Sequence, residues 1–232
     1  MPVIVVANPK GGVGKTTLAT NIAGYLAARG HQVMLGDVDR QQSARTWLAL
    51  RPAGLAPIAA WEVAHDEVVR PPKGTTHVVL DTPAGLHGKR LDEVMKLADK
   101  VLIPLQPSIF DIHATHEFVR RLLAGKRRAA PSLPTPLGGR ALLGGDLAAP
   151  SSKRSDRVQL AIVGMRTREG TISTDQLRGF LDGLKVPLLG FVRDTQNYVH
   201  LAAHGLTLWD VSSSRFERDF EQWRPITQWL DA

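Results

Sequence analysis

Pro9-Lys10-Gly11-Gly12-Val13-Gly14-Lys15-Thr16-Thr17 is the stretch that decides the fold. It follows the apolar run Val3–Ala7, typical of a buried strand, and leads into an amphipathic segment that begins near Thr16. Glycines let the backbone curl so that its N–H groups point inward, and the N-terminus of the next helix adds a positive dipole end. The stretch therefore predicts a phosphate-binding loop between a strand and a helix.

Each polar side chain of this loop has an expected partner. We expect Lys15 to reach the β- and γ-phosphates of a nucleotide and the Thr16 hydroxyl to ligate Mg²⁺. The loop departs from the ordinary pattern G-x-x-x-x-G-K-[ST], because Pro9 stands at the first glycine position and a second lysine, Lys10, follows it. The loop residues predicted to bind nucleotide are Gly11, Gly12, Val13, Gly14, Lys15, Thr16 and Thr17.

The composition excludes several classes of site. The chain has 232 residues and no cysteine, so it forms no disulfides, thiolate zinc sites or cysteine-held iron–sulfur clusters. No stretch has the pattern of a secretory signal or of a membrane span, so we expect a soluble, cytoplasmic protein. The formal net charge of +7 favours acidic partners such as nucleic acid if the charges cluster.

Strand and helix patterns alternate along most of the chain. Apolar strand runs occur at residues 32–37, 77–81, 100–105, 158–164 and 186–191, and helical patterns separate them, including those at 112–123 and near 174–184. This rhythm predicts an α/β fold with a doubly wound, mostly parallel sheet flanked by helices, whose ligands lie beyond the carboxyl ends of the strands.

Residues 126–157 break this alternation. They are dominated by Ala, Pro, Gly, Leu and Ser without a sustained period, and we expect a flexible insertion within a single domain of residues 1–232. The segment holds seven basic and two acidic residues, a formal charge of +5 out of the total of +7. Most of the net positive charge therefore belongs to the insertion.

Carboxylates follow two of the predicted strands. Asp81 ends the strand at 77–81 and is a candidate to hold Mg²⁺ together with Thr16. Asp37 and Asp39 end the strand that follows the loop helix, and one of them could orient the attacking water of a phosphoryl transfer.

These motifs together resemble those of the ParA/MinD family of P-loop ATPases. The form K-G-G-x-G-K-[ST] is similar to the family's deviant Walker A loop, in which the extra lysine, here Lys10, contacts the partner's ATP phosphates in a dimer. The segment after Asp37 resembles the family's D-x-D-P-Q motif, which implies that Asp39 positions the water and Asp37 supports it. Arg40 stands where the family usually has proline.

The resemblance also implies a function and its partners. It implies slow hydrolysis of ATP with Mg²⁺, a homodimer that forms with ATP, and non-specific binding to DNA of the nucleoid. A ParB-like or other adaptor protein would stimulate hydrolysis, and the cargo would be a plasmid, a chromosome or a protein assembly. By the same resemblance, the loops after the last strands enclose adenine, with Arg166 and Arg193 as candidate contacts.

Three alternatives stay open at this point. One is a MinD-like ATPase attached to the membrane by its C-terminal helix, but acidic residues offset the arginines there, and we expect Phe216, Phe220 and Trp223 to face the core. Another is a metabolic ligase or kinase of the dethiobiotin synthetase type. The third is a module that binds nucleotide without useful turnover, which Arg40 suggests.

Overall fold

A computed structural model describes residues 1–62, 71–129, 158–168, 170–171, 177, 179, 184, 186–212 and 214–232. The side chains of residues 125–129 are outside this description, as are most of the insertion predicted at 126–157 and most of a helix predicted near 174–184. Among the described residues, no helix is both long enough and apolar enough to cross a membrane.

Within this described part of the chain, seven strands form one sheet in the order β3-β2-β4-β1-β5-β6-β7. Every neighbouring pair is parallel, which confirms the predicted doubly wound fold. The strands are β1 (Val3–Val6), β2 (Val33–Asp37), β3 (Ile58–Trp61), β4 (His77–Asp81), β5 (Lys100–Leu105), β6 (Gln159–Thr167) and β7 (Leu188–Arg193).

Helices cover both faces of the sheet. The described helices are α1 (Lys15–Ala28), α2 (Ser43–Leu50), α3 (Gly88–Leu97), α4 (Ile109–Ala129), α5 (Gln196–Ala203) and α6 (Glu217–Asp231). Alternate residues of β1 point to opposite faces, as a pleated strand requires. Ile4 and Val6 pack in the core under α1, α2, α5 and α6, whereas Val3 and Val5 pack in the core under α3 and α4.

The observed elements correct three predicted boundaries. Helix α4 continues through Ala129, so residues 126–129, predicted as the start of the insertion, are helical. Strands β6 and β7 each extend beyond the predicted ends at residues 164 and 191, because Thr167 pairs with Arg193 past the apolar runs. These extensions depend on pairing between distant strands, which the local apolar pattern does not contain.

The C-terminal helix α6 contains Pro225 in its interior. Proline removes one backbone donor, but Trp223 and Ile226 on either side of it are fully buried and hold the helix against the sheet. Phe216 is also buried, and Phe220 packs against the same core. The prediction that these aromatic side chains face the core is confirmed.

Candidate nucleotide site

The sheet brings the three predicted motifs to one edge. Val6, the last residue of β1, pairs with Asp81 of β4, and Asp81 pairs with Asp37 of β2. Because these strands are parallel, their carboxyl ends meet beside the loop that leaves β1. The loop, Asp81 and Asp37 therefore form one candidate site.

Two glycines and three outside contacts shape the loop. Gly12 and Gly14 have φ angles of 74° and 92°, in the left-handed region that favours glycine. A Cβ at Gly14 would lie 3.0 Å from the Met165 side chain, so the end of β6 closes against the loop. The Gly85 N–H donates to the Pro9 carbonyl at 2.8 Å, and the Gln106 amide donates to the Gly12 carbonyl, also at 2.8 Å. The loop is therefore held in shape by elements from distant parts of the chain.

Lys15 points into the loop. Its ammonium donates to the backbone carbonyl of Lys10 at 2.6 Å, and only 7% of the residue is exposed. Burial lowers the pKa of Lys15, while the negative charges of Asp81 and Asp39 act against that shift. A buried ammonium with few partners binds an incoming phosphate strongly, as the predicted role of Lys15 requires.

Thr16 and Asp81 form the candidate magnesium site. The Thr16 hydroxyl donates to Asp81 Oδ2 at 2.7 Å, and Asp81 is 2% exposed. Burial raises the pKa of Asp81 to about 7. Within the described structure, Asp81 Oδ1 is buried without a hydrogen-bond partner. An orphaned carboxylate oxygen beside a hydroxyl is an oxygen-only donor set, which suits Mg²⁺ together with phosphate oxygens and water. These residues therefore fit the predicted metal.

Asp37 and Asp39 have different environments. Asp37 Oδ2 accepts hydrogen bonds from the backbone of Ala44 at 2.8 Å and Arg45 at 3.3 Å, at the start of α2, and Oδ1 accepts the Asp39 N–H at 2.9 Å. Burial raises the pKa of Asp37 despite these bonds. Asp39 is half-buried and accepts one bond, from the Gln41 N–H at 3.1 Å. Asp37 thus binds the start of α2 and the backbone of Asp39, and the roles of Asp37 and Asp39 toward the attacking water stay predictions.

Lys10 lies on the open side of the loop. Its ammonium is 3.6 Å from Asp111 in the first turn of α4, and its side chain is 40% exposed. Its backbone N–H donates to the buried side chain of Asn8 at 2.8 Å. No sequence pattern predicted the contacts of Asn8, Gln106 and Asp111 with the loop. Asn8 adjoins the motif, so the local sequence could have identified it. Gln106 and Asp111 approach the loop only through the pairing of β1 with β5.

The two candidate adenine contacts, Arg193 and Arg166, lie in different environments. Arg193 forms a bidentate pair with Asp219, at 2.7 and 3.0 Å, and Asp219 is fully buried. The Arg193 guanidinium is therefore already bound by Asp219 of α6. Arg166 is exposed and has a φ of 51°, directly after Met165, which packs against the loop. Nucleotide binding by either arginine stays a prediction.

Comparison with known proteins places this geometry in a family. The family model described as the CobQ/CobB/MinD/ParA nucleotide binding domain matches residues 4–208. The maintenance of carboxysome distribution protein A of Gloeobacter kilaueensis is 40% identical over 121 residues, which cover 51% of this chain and 56% of that protein. The chromosome-partitioning ATPase Soj of Thermus thermophilus is 32% identical over 184 residues, which cover 60% of this chain and 71% of that protein.

A solved structure has the same fold. An ATP complex of a Cyanothece McdA variant superposes with a TM-score of 0.68 at 13% identity, covering 98% of this chain and 96% of that one. At this identity the likeness concerns the fold alone. The match to the carboxysome relative covers little more than half of that relative's length.

Proposed function

The chain belongs to the CobQ/CobB/MinD/ParA family of nucleotide-binding domains, and on that premise we propose that it is a ParA-like ATPase whose assembly state is set by ATP. In this proposal, a chain with ATP and Mg²⁺ bound closes with a second copy into a homodimer. The observation that carries the proposal is the different burial of the two loop lysines. Lys15 is buried, whereas the Lys10 side chain is 40% exposed.

The different exposure of Lys10 and Lys15 suits the two lysines to different roles. Lys15 lies where it serves the nucleotide of its own subunit, next to Thr16 and Asp81. Lys10 has room to reach a phosphate that a second molecule brings to the loop. A phosphate that is bound by both subunits makes closure of the dimer depend on nucleotide. Without lysines to neutralise them, the phosphates of the two subunits would repel each other. This dependence is what a nucleotide-controlled switch needs.

We assign hydrolysis to the residues around Asp39. Phosphoryl transfer depends on placing the attacking water in line and on neutralising charge at the phosphate. Thr16 and Asp81 would hold Mg²⁺, and the ion would supply that neutralisation. Asp39 would accept a hydrogen bond from the attacking water and so orient it. Asp37 would fix the position of the loop that carries Asp39. Hydrolysis would be slow without a partner that completes the site.

DNA is the proposed second ligand of the closed dimer. The net charge of +7 favours a polyanion, and phosphate contacts by Lys and Arg need no base sequence. Arg166, Arg168, Arg215 and Arg218 are exposed in the described part of the fold, although Arg168 also pairs with Asp194. The basic segment predicted at 126–157 lies mostly outside the described residues. We propose cytoplasmic localisation with association to the nucleoid in the ATP state.

The proposed biological role is positioning of a cargo. Two of the relatives are named for carboxysome distribution and for chromosome partitioning, and an adaptor that stimulates hydrolysis would connect this ATPase to its cargo. The membrane-attached and metabolic ligase alternatives are not favoured. The aromatic side chains that suggested a membrane helix pack in the core, where Trp223 is fully buried.

Light scattering with and without Mg²⁺-ATP tests the proposal. We expect the wild type to be a monomer without nucleotide and a dimer with it. Lys10→Ala should bind ATP but stay monomeric, and Lys73→Ala, which removes an exposed lysine outside the site, should dimerise normally. Dimerisation by Lys10→Ala at the wild-type ATP concentration would contradict the assignment of Lys10. A wild type that stays monomeric with ATP would contradict the switch itself.

A second assay addresses DNA. The ATP-bound wild type should bind unrelated duplexes equally well, with an affinity that falls steeply between about 50 and 200 mM salt. Absence of binding at low salt would remove DNA from the proposal and leave the dimer assignment unchanged.

A further inference from the structure

We propose that Asp111 is a positioning residue that holds Lys10 on its own subunit in the absence of nucleotide and must release it when ATP binds. The inference rests on the proposed function, because it concerns how the switch described above is kept open. It starts from the 3.6 Å contact between the Lys10 ammonium and Asp111 Oδ1. No motif in the sequence connects these two residues, which are separated by a hundred positions.

The contact is part of a fixed arrangement between α4 and the loop. Asn8 donates to the Thr115 hydroxyl at 2.9 Å and to the Pro104 carbonyl at 2.7 Å, and it accepts the Lys10 N–H at 2.8 Å. Thr115 is fully buried and lies one helical turn after Asp111. The backbone of Lys10 and the helix that carries Asp111 are therefore joined through one buried asparagine. This connection fixes where Lys10 starts and where its carboxylate partner lies.

Asp111 is well suited to remain charged at this position. It lies in the first turn of α4, where the helix dipole favours a negative side chain. Its side chain is 16% exposed, so the attraction to Lys10 is less screened by water than that of an open surface pair. The other loop ammonium, that of Lys15, donates to the Lys10 carbonyl.

The same carboxylate opposes the state that ATP stabilises. A polyphosphate at the loop brings negative charge close to Asp111, and Lys10 loses its partner if it moves to bind phosphate. Both effects raise the ATP concentration needed for closure. Asp111 therefore sets a threshold: it favours the open monomer until nucleotide is abundant enough to displace the contact.

Zero-length cross-linking with a carbodiimide tests the contact directly. The reagent activates the Asp111 carboxylate, and attack by the Lys10 amine gives an amide that mass spectrometry detects as a linked peptide. We expect this link in the nucleotide-free protein and a several-fold lower yield with saturating Mg²⁺-ATP. Absence of the link without nucleotide, or an equal yield with ATP, would overturn the inference. This readout does not require the protein to dimerise.

Dimerisation measured against ATP concentration tests the consequence. Asp111→Asn should lower the midpoint about two- to five-fold, the range for a half-exposed ion pair, while Asp111→Glu should restore the wild-type midpoint. Glu117→Gln removes the same charge from an exposed site on the same helix and should leave the midpoint unchanged. An unchanged or higher midpoint in Asp111→Asn would refute the threshold role. If the wild type itself does not dimerise, the proposed function fails, and the cross-link alone decides whether Asp111 holds Lys10.

Discussion

Alanine substitution at Asp37 and at Asp39 should separate a structural carboxylate from a chemical one. The Asp37 carboxylate accepts two backbone hydrogen bonds at the start of α2 and a third from Asp39. Loss of the acceptor for the first N–H groups of a helix costs about 1 kcal/mol, and loss of a further hydrogen bond to a half-buried carboxylate costs about 1 kcal/mol more. Asp37→Ala should therefore lower the free energy of unfolding by about 2 kcal/mol. In the described part of the chain, the Asp39 carboxylate accepts one exposed hydrogen bond, so Asp39→Ala should lower the free energy of unfolding by less than about 0.5 kcal/mol.

Urea unfolding followed by circular dichroism measures both values. For a domain of this size, a loss of about 2 kcal/mol corresponds to a fall in Tm of about 4–8 °C. Asp37→Asn keeps one oxygen acceptor and should lose about half as much stability, which serves as the matched control. The rate of ATP hydrolysis should show the opposite order, with the larger loss in Asp39→Ala. Asp39→Ala should bind Mg²⁺-ATP and dimerise but lose hydrolysis.

Two outcomes would refute this separation. Equal losses of stability in the two alanine variants would mean that the hydrogen bonds at the start of α2 do not hold the loop. Retained hydrolysis in a folded Asp39→Ala protein would move the water-positioning role elsewhere, and Asp37 would be the first residue to test.

Two further predictions concern stability alone. Gly205 has a φ of 65°, and a Cβ there would lie 2.4 Å from the Leu50 backbone. Gly205→Ala should therefore lower the free energy of unfolding in urea by about 2–4 kcal/mol. Gly54 faces open space, so Gly54→Ala should change that free energy by less than about 0.5 kcal/mol. Burial, aided by the neighbouring His31, lowers the pKa of His77 from 6.5 to about 4, so between these pH values the unfolded chain binds a proton that the folded chain does not. The free energy of unfolding should therefore fall as pH decreases from about 6.5 to 4, and His77→Gln should flatten that slope; an equal slope in the variant would assign the acid sensitivity to other groups.

The sequence predicted the nucleotide loop and the central strands because their signals are local. Continuous apolar runs such as Val3–Ala7 predict buried parallel strands wherever they occur, and glycines at fixed offsets from Lys15 predict the loop. Asp81 was predictable for the same reason, since it ends such a run. The structure adds the orphaned oxygen of Asp81, which depends on the packing of three strands.

Residues that act through distant partners were not predictable from local patterns. The pairing of Asp111 with Lys10 and of Arg193 with Asp219 both arise from the order of strands and helices in space. Nothing in the sequence around Arg193 indicates that α6 binds its guanidinium. The helical residues at 126–129 were missed because they were grouped with the Pro- and Gly-rich segment that follows, although Lys, Arg and Ala are good helix formers and continue α4.

The strand order also determines how the protein folds as it is made. The first five strands of the sequence occupy adjacent places, β3-β2-β4-β1-β5, and β6 and β7 extend the sheet at one edge. A nascent chain that has reached Leu105 therefore contains every strand that frames Lys15, Asp37 and Asp81. The strands that follow Leu105 therefore add to one edge of the sheet and leave the order of the strands around the nucleotide site unchanged.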